Sequence, residues 1–199
     1  MHTLYLPGAT GAAEFWQPMA GLLPGPSTLL SWPGLGKQPP TPDINGVDDL
    51  VALTESKIEG PKRLVAQSIG GVVAMQVALR QPQLIQHLVL CASPGGIDVS
   101  DVPVLDWRPQ FKVDFPQSAS WLYEDWPDLS ASLKTLKVPT TVLYGDSDPI
   151  TPVEIGQRLV DHLPQATMHV IPGGDHDFAR THADQVARII LAASDSPQE

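Results

Sequence analysis

Six short runs of apolar residues, each about one strand long, punctuate the chain at residues 3–6, 28–32, 63–67, 88–92, 140–144 and 168–171. Between them lie stretches at 13–23, 47–58, 70–80, 153–163 and 183–193, where apolar residues recur at helical three- and four-residue spacing. Strands that are apolar on both faces, alternating with helices, predict an α/β fold: a mainly parallel sheet of about six strands, covered on both faces and joined by right-handed crossovers. Ligands of such sheets sit beyond the carboxyl ends of the strands. Candidate functional residues are therefore polar residues that directly follow strands. Ser68 follows the third run, Asp146 and Asp148 the fifth, and His176 the sixth.

The chain of 199 residues has no internal repeat and fits one domain spanning 1–199. One segment, 95–137, breaks the alternation. It gathers Trp107, Phe111, Phe115, Trp121, Tyr123 and Trp126 among prolines and acids, with weak helical patterning at 117–126 and 129–136. A long connection of this kind in a compact domain points to function, and 97–137 is expected to form a small lid over the strand ends.

The net charge of −10 argues against nucleic-acid or anionic-membrane surfaces, both of which need clustered Lys and Arg. Cys91 is the single cysteine, so no disulfide can form within the chain, and its apolar surroundings predict a buried strand residue. The start, Met1 to Pro7, has neither a basic region nor a long apolar stretch, and no segment is long and apolar enough to span a bilayer. These features predict a cytoplasmic protein with a small-molecule partner, no cofactor and no metal, acting as a monomer or homodimer. Strand pairing at an exposed edge near 28–32 would permit the dimer.

At Ala66-Gln67-Ser68-Ile69-Gly70-Gly71 an apolar strand turns sharply on small residues and continues as a helix. One reading is a nucleophile elbow. A serine hydroxyl is a poor nucleophile at neutral pH, and the elbow holds it clear of its backbone beside a base and amide donors. The other reading is a serine N-cap on a buried helix. The usual elbow is Gly-x-Ser-x-Gly; here Ala66 replaces the first glycine and Gly70 keeps the second.

With Asp146 or Asp148 in the strand-and-turn sequence Val138 to Pro152, and His176 in Gly173-Gly174-Asp175-His176-Asp177-Phe178, the chain order is serine, acid, histidine. On these motifs the chain resembles the α/β-hydrolase superfamily over nearly its whole length. Leu4-Tyr5-Leu6-Pro7-Gly8-Ala9-Thr10-Gly11 followed by Trp16 looks like the family's loop after its first core strand, and Trp32-Pro33-Gly34-Leu35-Gly36 like its next turn. The resemblance implies Ser68 as nucleophile, His176 as general base and acid, and Asp148 as the orienting carboxylate, with Asp146 the alternative. It also implies an oxyanion hole from the backbone N–H groups of Ala9 and Ile69. The family's usual His-Gly pair in that loop is here Pro7-Gly8, so the loop must be supported differently. The resemblance further implies a sheet that starts at what is usually the family's third strand, without the initial hairpin.

Triad chemistry specifies acyl transfer more firmly than the acyl group. Trp16, Trp32, Trp107, Trp121, Ile150 and Phe178 are expected to flank a mainly apolar substrate pocket. The expected substrate is a small ester or thioester with an apolar acyl part. The lid carries Asp98, Asp101, Asp106, Asp114, Glu124, Asp125 and Asp128, with Arg108 and Lys112 among them, a field that disfavours anionic substrates. Two readings compete with an esterase: a carbon–carbon bond hydrolase or lyase of the same superfamily, and a non-catalytic ligand-binding member.

Overall fold

The computed structural model describes residues 1–124 and 126–195. Six strands form one sheet: β1 (His2–Leu6), β2 (Ser27–Leu29), β3 (Lys62–Gln67), β4 (Ile85–Cys91), β5 (Thr140–Gly145) and β6 (Ala166–Ile171). They pair in the order β2-β1-β3-β4-β5-β6, and every pairing is parallel. Seven α-helices are found among the described residues: α1 (Val47–Glu55), α2 (Ile69–Arg80), α3 (Arg108–Asp114), α4 (Ser130–Leu133), α5 (Val153–His162), α6 (Phe178–Thr181) and α7 (Ala183–Asp195).

Side chains alternate across the central strands, so one strand feeds both cores. From β3, Leu64 and Ala66 join Leu50, Val73 and Leu159 on the face covered by α1, α2 and α5, while Val65 joins Phe15, Trp16, Val186 and Ile190 on the face covered by α7. All six positions of β3 are buried, and its centre, Leu64, Val65 and Ala66, is apolar on both faces rather than alternating.

Two sequence expectations change. The helical spacing over 13–23 yields only a 3₁₀ turn, Ala13–Trp16, because Pro18, Gly21 and Pro24 interrupt any longer helix. The expected run at 28–32 is a strand only over Ser27–Leu29. Beyond it the chain peels away from β1 at Trp32, whose N–H donates to the Gly11 carbonyl at 2.9 Å. In 97–137, α3 and a 3₁₀ turn at Ser120–Tyr123 accompany α4; the sequence patterning missed α3. This segment is tied down at several points: Leu105 N–H to the Pro149 carbonyl at 2.8 Å, Ala119 N–H to Gly34 at 2.8 Å, and Leu129 N–H to Gly96 at 2.8 Å. No helix among the described residues is long and apolar enough to cross a membrane.

At the amino-terminal end of the sheet, His87 is 5% exposed and hydrogen-bonded to Thr141 Oγ1 at 2.8 Å and to Ser194 Oγ at 3.4 Å. Burial, reinforced by the buried Arg63 guanidinium, pushes its pKa down to about 4. The unfolded chain, with an ordinary histidine near 6.5, binds this proton first, so stability present above pH 6.5 is lost as pH falls towards 4. Between pH 7 and 4.5 the His87→Gln variant is expected to lose about 2.5 kcal/mol less stability than wild type in urea titrations, and equal losses would refute the assignment.

Candidate active site

Ser68 caps α2 with φ 54° and ψ −126°, a backbone conformation that a residue with a Cβ adopts only under constraint, at a cost of order 1–3 kcal/mol. The constraint is packing on all sides of the turn. Ser68 N–H donates to the Cys91 carbonyl at 3.0 Å. A Cβ on Gly70 would collide with the Pro7 carbonyl, and one on Gly71 with the buried Ser93 side chain. Both glycines after the serine are thus required by close approach, and the serine side chain makes no capping hydrogen bond to its own helix. Of the two sequence readings, a capping serine is the one the geometry does not show.

His176, carried by the loop between β6 and α6, places Nε2 3.1 Å from Ser68 Oγ and Nδ1 2.8 Å from Asp148 Oδ2. Asp148 is 4% exposed and lies just after β5. Its Oδ1 accepts the N–H groups of Ile150 at 2.8 Å and Thr151 at 3.1 Å; its Oδ2 accepts the Thr151 hydroxyl at 2.5 Å. Burial raises the Asp148 pKa, but the hydrogen bond and charge of His176, with the Thr151 donors, outweigh it and hold the carboxyl below its usual range. The Gln67 amide donates to the His176 carbonyl at 3.3 Å and so steadies the histidine loop from the end of β3. An imidazole held in this way can take a proton from the serine hydroxyl while its other nitrogen stays fixed by a carboxylate.

Asp146 points elsewhere. Its Oδ1 accepts the Gly173 N–H at 2.7 Å and the Ser147 hydroxyl at 3.1 Å, bracing the turn before His176. Asp175 accepts the Asp177 N–H at 3.0 Å ahead of α6. Ser93, also a residue after a strand, is fully buried and accepts the Gly95 N–H at 3.1 Å. Cys91 is buried, and burial pushes its thiol well above the ordinary range.

Ser68 opens onto two cavities, of about 540 and 680 Å³. Ala9 and His176 line the first, Ile69 the second, and Trp107 and Ile150 border both. Phe111 and Phe115, with ring centroids 4.6 Å apart, extend the aromatic wall of the first. Of the six residues expected around the substrate, only Trp107 and Ile150 therefore line the cavities. Trp16, Trp32 and Phe178 are fully buried in the core, because their side chains point inward from the loops that frame the site. Trp121, itself part of the inserted segment, packs half-buried against the core. Thr151, Gln67, Phe111, Lys37 and Arg180 went unselected in the sequence. Thr151, two residues beyond Pro149 in the acid's turn, carried a readable signal, whereas Lys37 and Arg180 carried none.

A model described as the alpha/beta hydrolase family matches residues 4–120, more than half of the chain. The chain belongs to the α/β-hydrolase family. A serine hydrolase of Mus musculus is 22% identical, the match covering 94% of this chain and 77% of that protein. Among solved structures, a thermophilic esterase from Thermogutta terrifontis superimposes with a TM-score of 0.76 at 20% identity, over 96% of this chain and 88% of that one. A meta-cleavage product hydrolase from Pseudomonas fluorescens gives 0.78 at 17% identity, over 98% and 90%. The all-parallel six-stranded sheet flanked by helices is the fold of this α/β-hydrolase, and the chain is a hydrolase.

Proposed function

We propose that this hydrolase is a serine esterase cleaving a small carboxylic ester, or thioester, with an apolar acyl part. The observation that carries the reading is His176 bridging Ser68 and the buried Asp148 at 3.1 and 2.8 Å. In this reading Ser68 Oγ attacks the acyl carbon as His176 Nε2 takes its proton, and the tetrahedral oxyanion is held by the backbone N–H groups of Ala9 and Ile69. His176 then gives the proton to the departing alcohol, leaving an acyl-serine that water releases by the same steps in reverse. Because His176 must reach the leaving group, the alcohol side occupies the 540 Å³ cavity and the acyl side the 680 Å³ cavity lined by Ile69, Val72, Ile97 and Ile155. Segment 97–137 acts as the lid, closing both cavities with Trp107.

Treatment with a fluorophosphonate followed by mass spectrometry tests the reading. The expected label is on Ser68 and is lost in Ser68→Ala and His176→Ala; a folded wild type that takes no label overturns it.

Charge sorts the substrates. The acyl cavity carries Asp98, Asp106, Glu124 and Asp128 against Arg108, so an acyl chain ending in a carboxylate is expected to lose about tenfold in kcat/KM against its neutral methyl ester, the gap shrinking in high salt. A preference for the anionic acyl chain would sink the electrostatic part of the proposal. The other cavity is lined with His176 by Lys37 and Arg180 as well as by Glu14 and Asp177, so its formal charges balance; pairing of the two cations with a departing anionic fragment is the second reading, a carbon–carbon bond hydrolase. Turnover of a vinylogous 1,5-diketone acid in preference to simple esters would select it.

A further inference from the structure

A loop that presents a backbone N–H to a developing oxyanion needs something rigid behind it. Where relatives of this architecture carry histidine before the glycine, this chain has Pro7, which brings no polar side chain. The Pro7 carbonyl instead accepts the Trp32 indole N–H at 2.7 Å, with the indole fully buried. The backbone N–H of the same Trp32 donates to the Gly11 carbonyl at 2.9 Å, and the Gly11 N–H turns back to the Gly8 carbonyl at 3.0 Å. One residue thus holds both ends of the turn that contains Ala9.

The Pro7 carbonyl is gripped from the other side as well, since it lies directly against Gly70 in the first turn of α2. Both N–H groups assigned to the oxyanion, on Ala9 and Ile69, therefore sit on chain segments that meet at one carbonyl. The turns are laid backbone to backbone. Gly11 has φ +64° and a Cβ there would come 2.7 Å from the Trp32 carbonyl; Gly36 has φ +55° and a Cβ there would strike the Thr10 carbonyl. On the outer side, the inserted segment grips the same turn: Ala119 N–H donates to Gly34 at 2.8 Å, the Gln117 amide to the Gly36 carbonyl at 2.8 Å, and Gly36 N–H to Ser118 Oγ at 3.2 Å.

We propose that Trp32 is a positioning residue for the oxyanion hole and that residues 117–119 of the inserted segment brace it through the Gly34–Gly36 turn. The proposal rests on the esterase reading above, and it gives Trp32 a function other than the substrate contact expected from the sequence.

Trp32→Phe keeps most of the ring volume and removes the indole donor. On a neutral short-chain ester its kcat is expected to fall roughly 10- to 100-fold, part of the loss seen when a whole oxyanion donor is removed, with KM changed by less than about threefold. The inhibition constant of butylboronic acid, whose tetrahedral oxygen occupies the oxyanion position, is expected to rise in proportion, while that of butanol stays put. Gln117 is exposed and Ser118 half-buried, so the double variant Gln117→Ala/Ser118→Ala tests the brace without touching the core. It is expected to lower kcat a few-fold, and less than multiplicatively in combination with Trp32→Phe. Unchanged kcat and boronate affinity in folded Trp32→Phe overturn the proposal, as they do in the double variant should Trp32→Phe not fold. A wild type that neither turns over esters nor binds the boronate overturns the esterase reading itself, an outcome distinct from an active wild type whose variants match it.

Discussion

Replacing Ser68 or His176 with alanine is expected to lower kcat on a neutral ester by about 10⁴- to 10⁶-fold, equivalent to roughly 5.5–8 kcal/mol of barrier, with KM little changed. The expectation comes from how little else around Ser68 could replace them. Among the described residues, His176 Nε2 is the basic atom within hydrogen-bond reach of Ser68 Oγ. Removing both residues together is expected to cost about as much as removing one, because the hydroxyl without its base and the base without its hydroxyl are equally idle. Steady-state kinetics on the two single variants and the double variant read this directly. Losses that multiply would mean that the two residues act separately. A Ser68→Gly variant adds a control: equally inactive, it relieves the positive φ and is expected to unfold at higher denaturant than Ser68→Ala.

The fold was legible because its signal is repeated. Each central strand of the sheet carries the same buried, apolar composition, and a parallel sheet follows from the alternation rather than from any one element. The positions of Ser68, Asp148 and His176 were legible for a related reason: strand ends converge on one edge of such a sheet whatever lies between them. What could not be read depends on side-chain direction in irregular segments. Trp16, Trp32 and Phe178 follow strands or flank the site in sequence, yet each turns inward, and no periodicity reports the facing of a loop residue. Helix α3 was missed because Pro109 interrupts the pattern at its first turn, where proline is in fact well tolerated. Lys37 and Arg180 reach the cavity proposed for the leaving group from segments far apart in the chain, as do Glu14 and Asp177, so charge counting within 97–137 alone leaves out four charged residues that line it.

Asp148→Asn is expected to lower kcat by roughly 10³- to 10⁴-fold, whereas Asp146→Asn stays within a few-fold of wild type. Both acids stand in the turn after β5, two residues apart, so composition and exposure to the same loop cannot separate them; their partners do. Asp148 Oδ2 meets His176 Nδ1 at 2.8 Å, and an amide there offers the imidazole either an N–H where an acceptor is needed or a neutral oxygen that no longer stabilises the imidazolium. The substituted side chain also faces the Ile150 and Thr151 N–H groups and the Thr151 hydroxyl, three donors arranged for a carboxylate. Satisfying the two N–H groups with the amide oxygen turns the NH₂ towards His176 and the Thr151 hydroxyl and fixes the wrong tautomer. The fold is expected to survive, since each donor retains an acceptor or reaches solvent at modest cost. Asp146 instead accepts the Gly173 N–H at 2.7 Å, a bond an asparagine oxygen can keep. Comparison of kcat for the two variants at pH 7 and 9 separates the roles further. Asparagine carries no titratable carboxyl, so raising the pH cannot restore the lost charge, while wild-type Asp148, held below the usual carboxylate range, is ionised at both values; the Asp148→Asn deficit is therefore expected to persist. A deficit of similar size in Asp146→Asn would instead mean that Asp148 is not the sole orienting carboxylate and that the turn braced by Asp146 is as important to the imidazole as the contact itself.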